Sequence, residues 1–215
     1  MKTRWLIGIV FLTAANLIQT LPASAHRLDE YLQATRIAVE PERVNVEIDL
    51  TPGADVAANV IALIDVNHDG EISKAEQEGY ARLVLASAAL DVDDEPRHLM
   101  LTSSVFPSIP EMREGVGVIR VKASAATPGA GRHRLFYRNE HWPEISVYLA
   151  NALVPASDMV AIAQQERDTL QHELRFDYSI SPKTSSAWLA LSWWLIPVFG
   201  LAAIVVRFRL SHGRS

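Results

Sequence analysis

Val44-Asn45-Val46-Glu47-Ile48-Asp49-Leu50 alternates apolar and polar side chains without a break. A period of two puts every apolar residue on one face of an extended chain, so the stretch reads as a half-buried β-strand. Just upstream, Glu40-Pro41-Glu42 is turn material, and Tyr31–Val39 alternates more loosely, offering Leu32, Ala34, Ile37 and Val39 to a core. The two runs together predict a long hairpin, ended by Thr51-Pro52-Gly53. Beyond Asp91 the strand pattern returns at 98–106, 116–126, 132–139, 145–154, 159–165 and 170–180, with Pro, Gly or acidic turns between. Short strands at this spacing predict an α+β fold: a mostly antiparallel β-sandwich of about seven or eight strands, with a helix-loop-helix inserted after the second strand.

That insertion carries the chemistry. Residues 54–64 are rich in Ala, Val, Ile and Leu and suit a helix, and a second helix is expected over 73–90. Tyr80, Leu83, Val84 and Ala88 fall at the spacing of one buried helical face. Between the helices runs Asp65-Val66-Asn67-His68-Asp69-Gly70-Glu71-Ile72-Ser73-Lys74-Ala75-Glu76. Oxygen side chains stand at loop positions 1, 3, 5, 9 and 12, the EF-hand order that wraps a short chain around Ca²⁺, a hard cation taking about six to eight oxygens. Asp65, Asn67, Asp69 and Ser73 supply side-chain oxygens, Glu71 its backbone carbonyl, and Glu76 both carboxylate oxygens. Gly70 gives the positive φ of the sharp turn. Magnesium fits less well, because it prefers a smaller octahedral shell and keeps several waters.

The loop is solitary. Asp91-Val92-Asp93-Asp94-Glu95 meets Pro96 where a turn glycine would be needed, so no second loop of this type can form there. Ile72, which in paired loops forms the bridge, must then pack on the sandwich itself or on another copy of the protein; the first is favoured. An unpaired loop belongs with extracellular modules that bind at roughly 10⁻⁴–10⁻³ M.

Both chain ends carry targeting signals. Lys2 and Arg4 precede an apolar run from Trp5 to Leu12, and Ala23-Ser24-Ala25 has the small-residue pattern of a signal-peptidase site. Cleavage after Ala25 makes 1–25 a signal peptide and His26 the mature N-terminus. Residues 187–206 hold no charge, and about 20 apolar residues span a hydrocarbon core, so they predict one transmembrane helix. Arg207, Arg209 and Arg214 follow it and place a short tail, 207–215, in the cytoplasm. The expected order is a signal peptide, an exported domain over 26–180, a linker over 181–186, the membrane helix and the tail. The domain would lie in the periplasm or outside the cell, on a single-pass inner-membrane protein.

Charge agrees with that partition. Of the 20 Lys and Arg, two precede and three follow the exported part, which keeps all 25 Asp and Glu and carries a formal charge of −10. An acidic domain attracts cations and repels nucleic acid, which excludes nucleic acid as a partner class. Without cysteine, no disulfide braces the domain in an oxidising compartment.

Enzyme signals are weak. His172-Glu173 opens like a zinc-protease motif, but no second histidine follows, and no nucleophile elbow or phosphate-binding glycine loop is present. No catalytic residue is assigned, and the chain is read as a non-enzyme. A mature N-terminal His26 could chelate copper or nickel with its amino group. His68 is expected at the surface, and convergence of His133, His141 and His172 does not follow from the sequence.

Ala25-His26-Arg27-Leu28-Asp29-Glu30-Tyr31-Leu32-Gln33, the loop after Leu50-Thr51-Pro52-Gly53, and Ser146-Val147-Tyr148-Leu149-Ala150-Asn151-Ala152-Leu153 together resemble the exported domains of HupE/UreJ-type and nickel/cobalt-transport-type bacterial membrane proteins. The resemblance implies an extracytoplasmic, mostly β domain followed by a multi-helix membrane part. This chain departs from it in having one predicted membrane helix without His, Asp or Glu, so transport by this chain alone is not expected. Two roles stay open: a calcium-binding interaction module with a partner protein, or an accessory of a nickel/cobalt permease or metalloenzyme system.

Overall fold

Alternation becomes sheet. The structure, a computed structural model, describes residues 28–182; the expected signal peptide, His26, the membrane helix and the tail lie outside the described residues. Strands β1 (Tyr31–Val39) and β2 (Arg43–Pro52) form the expected hairpin, with Val39 opposite Val44 and Tyr31 opposite Pro52. Val44, Val46, Ile48 and Leu50 all face inward and are fully or almost fully buried.

β1 uses the other face from the one expected in part. Its buried residues are Tyr31, Gln33, Thr35, Ile37 and Val39, while Leu32 and Ala34 lie on the outer face, half-buried. Ile37 and Val39 fix the parity, and the pleat then carries Gln33 and Thr35 inside, where both find hydrogen-bond partners.

Helix α1 (Ala57–Ile64) and helix α2 (Lys74–Ala86) follow, then β3 (Ala88–Val92), the two-residue β4 (Glu95–Pro96) and β5 (Met100–Val105). A short helix α3 (Ile109–Arg113) precedes β6 (Ile119–Ala126), β7 (Gly131–Asn139), β8 (Ser146–Ala152), β9 (Val160–Arg167) and β10 (Glu173–Ile180). The fold is a β-rich α+β arrangement of two five-stranded sheets, ordered β5-β6-β2-β1-β8 and β4-β3-β7-β10-β9. One hydrophobic core joins them, with Ile37, Ile48 and Val121 from the first sheet meeting Leu135, Leu174 and Phe176 from the second.

Three differences from expectation have physical causes. The second helix stops at Ala86, and Ala88–Val92 becomes a strand because β7 captures it, Ala88 opposite Asn139 and Val92 opposite Leu135. Good helix formers there yield to a sheet partner. The buried face of α2 is therefore Tyr80, Ala81, Val84 and Leu85; Leu83 is 45% exposed and Ala88 belongs to the strand. The sheets are not wholly antiparallel, since β8 runs parallel to β1, with Tyr31 beside Ser146 and Gln33 beside Tyr148. The third difference is α3, whose Ser108 and Glu111 form a reciprocal capping box.

Candidate metal site

The loop lies between the end of α1 and the start of α2. Ala57, Val60, Ile61 and Ile64 anchor α1 in the core, and the Asp65 backbone N–H donates to the Ile61 carbonyl at 2.8 Å to end the helix. Asp65 is thereby drawn to the inner wall of the loop and is only 6% exposed. Gly70 supplies φ +81° at the turn, and its N–H donates to Asp65 Oδ2 at 3.1 Å. The other oxygen, Asp65 Oδ1, is buried and has no hydrogen-bond partner. A buried carboxylate oxygen without a protein partner calls for one from outside the chain, a water or a cation.

The side-chain oxygens of Asn67, Asp69, Ser73 and Glu76 are held by the loop's own donors. Asn67 Oδ1 accepts from the Asp69 N–H at 3.0 Å, and Asp69 Oδ1 from the Glu71 N–H at 2.9 Å. The Asn67 amide also donates to Asp69 Oδ2 at 2.8 Å. Glu76 Oε2 accepts from the Ser73 N–H at 2.9 Å and the Ser73 hydroxyl at 2.7 Å. Its Oε1 accepts from Val66 N–H at 3.0 Å, so the carboxylate spans from the start of α2 back to the start of the loop. Hydrogen bonds from the Ser73 side chain, then from backbone N–H groups, lower the Glu76 pKa. Ser73 and Glu76, expected as ligands, are at the same time the N-terminal capping box of α2. Glu71 and His68 are exposed, His68 at φ +59°. Ile72 is half-buried against the shared core, the packing favoured from the sequence.

Oxygen-only donors, the buried unpaired Asp65 Oδ1 and the glycine turn fit a hard divalent cation. Among the described residues, no three His, Asp or Glu side chains are already gathered as a metal cluster. The six expected ligands follow one another along the loop without converging on one point: Asn67, Asp69 and Glu76 oxygens accept from loop donors, and Asp65 Oδ1 alone is buried without a partner.

Beside the loop lies a second polar assembly that the sequence does not reveal. Tyr80, one turn into α2 from Glu76, bonds through its hydroxyl to Tyr31 at 2.7 Å and to His141 Nε2 at 3.0 Å. The His141 carbonyl accepts from Gln33 Nε2 at 2.6 Å and from the Tyr148 hydroxyl at 2.9 Å. Asn139 Nδ2 donates to Gln33 Oε1 at 2.8 Å, and Asn139 Oδ1 accepts the His141 N–H at 3.0 Å. Burial pushes His141 down to about 4 and Tyr31 well up. This seam ties β1, β7, β8 and α2 together. His133 lies elsewhere, against Asp93 at 2.7 Å. His172 borders the seam, its ring 5.8 Å from that of Tyr148 and its carbonyl accepting the Asn139 N–H at 3.0 Å, and it faces Asp168 at 3.5 Å. The three histidines do not form a metal cluster.

No family model, curated protein or solved structure matches this chain. Among the described residues, no helix is long and apolar enough to cross a membrane.

Proposed function

We propose that the chain is a membrane-tethered, extracytoplasmic calcium-binding protein of the EF-hand type, with the β-rich domain acting as a binding module for a partner protein. The observation that carries this reading is Asp65 Oδ1, a buried and unpartnered carboxylate oxygen at the first ligand position of a loop whose glycine turn is already formed. Asp65, Asn67, Asp69, Ser73 and Glu76 would hold the ion with their side chains, and Glu71 with its carbonyl. Bound calcium would supply a divalent charge between the ends of α1 and α2.

The chain's own residues set the strength of that site. Glu76 already receives hydrogen bonds from Ser73 and Val66, and these donors compete with a cation for its oxygens. The loop is also unpaired, and both features favour the roughly 10⁻⁴–10⁻³ M class over the tighter sensor class. Steady extracytoplasmic calcium suits such a site better than a transient cytosolic signal. The signal sequence and the C-terminal apolar segment support export and anchoring.

The test is calorimetric titration of the full chain in detergent with CaCl₂. One site per chain, abolished by Glu76→Gln, is expected; heat unchanged by that substitution would sink the reading. The permease-accessory reading rests on the resemblance, whose residues Tyr31, Gln33, Ser146 and Tyr148 lie side by side on β1 and β8. Tight nickel binding that survives Glu76→Gln and fails in His26→Ala would favour it instead.

A further inference from the structure

We propose that the groove between α2 and the free edge of β5 docks an extended, acidic segment of another protein, added to the sheet as a further strand. This proposal is independent of the calcium reading.

β5 pairs with β6 on one side only and ends the first sheet. Along its other side lies a groove of about 920 Å³, walled by the continuous run 97–104 and by one face of α2. An open strand edge offers unpaired N–H and C=O groups to any extended chain, the mode of recognition called β-augmentation.

Charge decides what enters it. Lys74, Arg82 and Arg97 line the groove with one carboxylate, Glu78, which pairs with Arg82 at 2.9 Å; Arg97 also interacts with Asp93, so Lys74 supplies the uncompensated charge. Lys74 has no ion-pair partner among the described residues. This cationic lining stands on a domain that is otherwise strongly acidic, so it marks a place where acidic chains are accepted rather than repelled.

The two segments that flank the described residues do not supply the matching charge. Every Asp and Glu lies between Asp29 and Asp177, so residues 1–27 and 183–215 carry none. A second copy pairing edge to edge would set Lys74, Arg82 and Arg97 against the same three cations. An acidic strand from a different protein meets neither objection. The β-bulge between Leu101 and Ser103, with the basic rim, guards the edge against indiscriminate pairing.

The probe is a fluorescent octapeptide of alternating Glu and Val, titrated against the full chain in detergent by anisotropy. Saturable binding is expected, weakened about tenfold or more by added salt and by the double substitution Lys74→Glu, Arg82→Glu. Arg82 is 67% exposed, so matched thermal midpoints should confirm that the variant folds. On the unaltered chain, an octapeptide N-methylated at alternate amides should lose binding, because it cannot complete the ladder. Equal binding of the methylated peptide, or of a Lys and Val octapeptide, would overturn the proposal. So would self-association of the chain through this edge that the acidic peptide displaces.

Discussion

The loop at Asp65–Glu76 and the seam around His141 are both polar, and one helix carries a part of each. In the seam, neutral side chains are buried and matched donor to acceptor: Gln33 to Asn139 and His141, Tyr80 to Tyr31 and His141. In the loop, charged side chains are mostly exposed, and the one buried carboxylate has an oxygen with no partner. A satisfied buried network fixes a structure, whereas an unsatisfied charge at a formed turn leaves room for a ligand. The seam therefore ties the sheets to each other, and the loop is where the proposed ion would act.

The largest effect is expected at Gln33. Gln33→Ala should cost about 3 kcal/mol in urea unfolding, because it removes packing and leaves Asn139 Nδ2 buried without its acceptor. A cost near zero would mean that the seam is not what joins the sheets.

Asp65→Asn should act in two directions. Without calcium it should stabilise the chain by about 1 kcal/mol, since it removes a buried, half-unpaired charge. It should also abolish the calcium-dependent gain, about 2.7 kcal/mol for the unaltered chain at a hundredfold excess over Kd. Loss of stability in the metal-free state would show that Asp65 is already satisfied.

The seam has a pH signature. His141 titrates at about 4 when folded, below its ordinary 6.5, so the unfolded chain takes up the proton first. Its contribution is present in full above 6.5 and is lost as pH falls toward about 4. Denaturant midpoints should therefore drop across that window, and His141→Gln should flatten the part of the drop due to this residue. Parallel curves for the two proteins would remove His141 from the account.

Tyr80→Phe should have the smallest effect, about 1 kcal/mol of stability from its lost hydrogen bonds. Calcium affinity should stay unchanged if loop and seam are separate systems on one helix. A shifted affinity would show that α2 couples them.

Much of this was legible in particular residues. Val44 to Leu50 state their strand and inward face outright, and the hairpin register follows from Glu40-Pro41-Glu42. The loop shows its oxygen spacing and Gly70 in order. Ser108 and Glu111 carry a capping-box signal for α3 that strand periodicity conceals. His141 gave no such sign, because its partners Tyr80 and Gln33 lie 61 and 108 residues away.

Local physics wrote into the sequence the parity of β2, the turn glycine, and the order of oxygens in the loop, but not the parity of the first half of β1. Tertiary structure decided the rest, because those choices depend on neighbours remote in sequence. Pairing with β7 made a strand of Ala88–Val92, and the parallel seating of β8 beside β1 gathered the seam. Burial of α1 against the core drew Asp65 inward and left its Oδ1 without a hydrogen-bond partner, the observation on which the proposed calcium site rests.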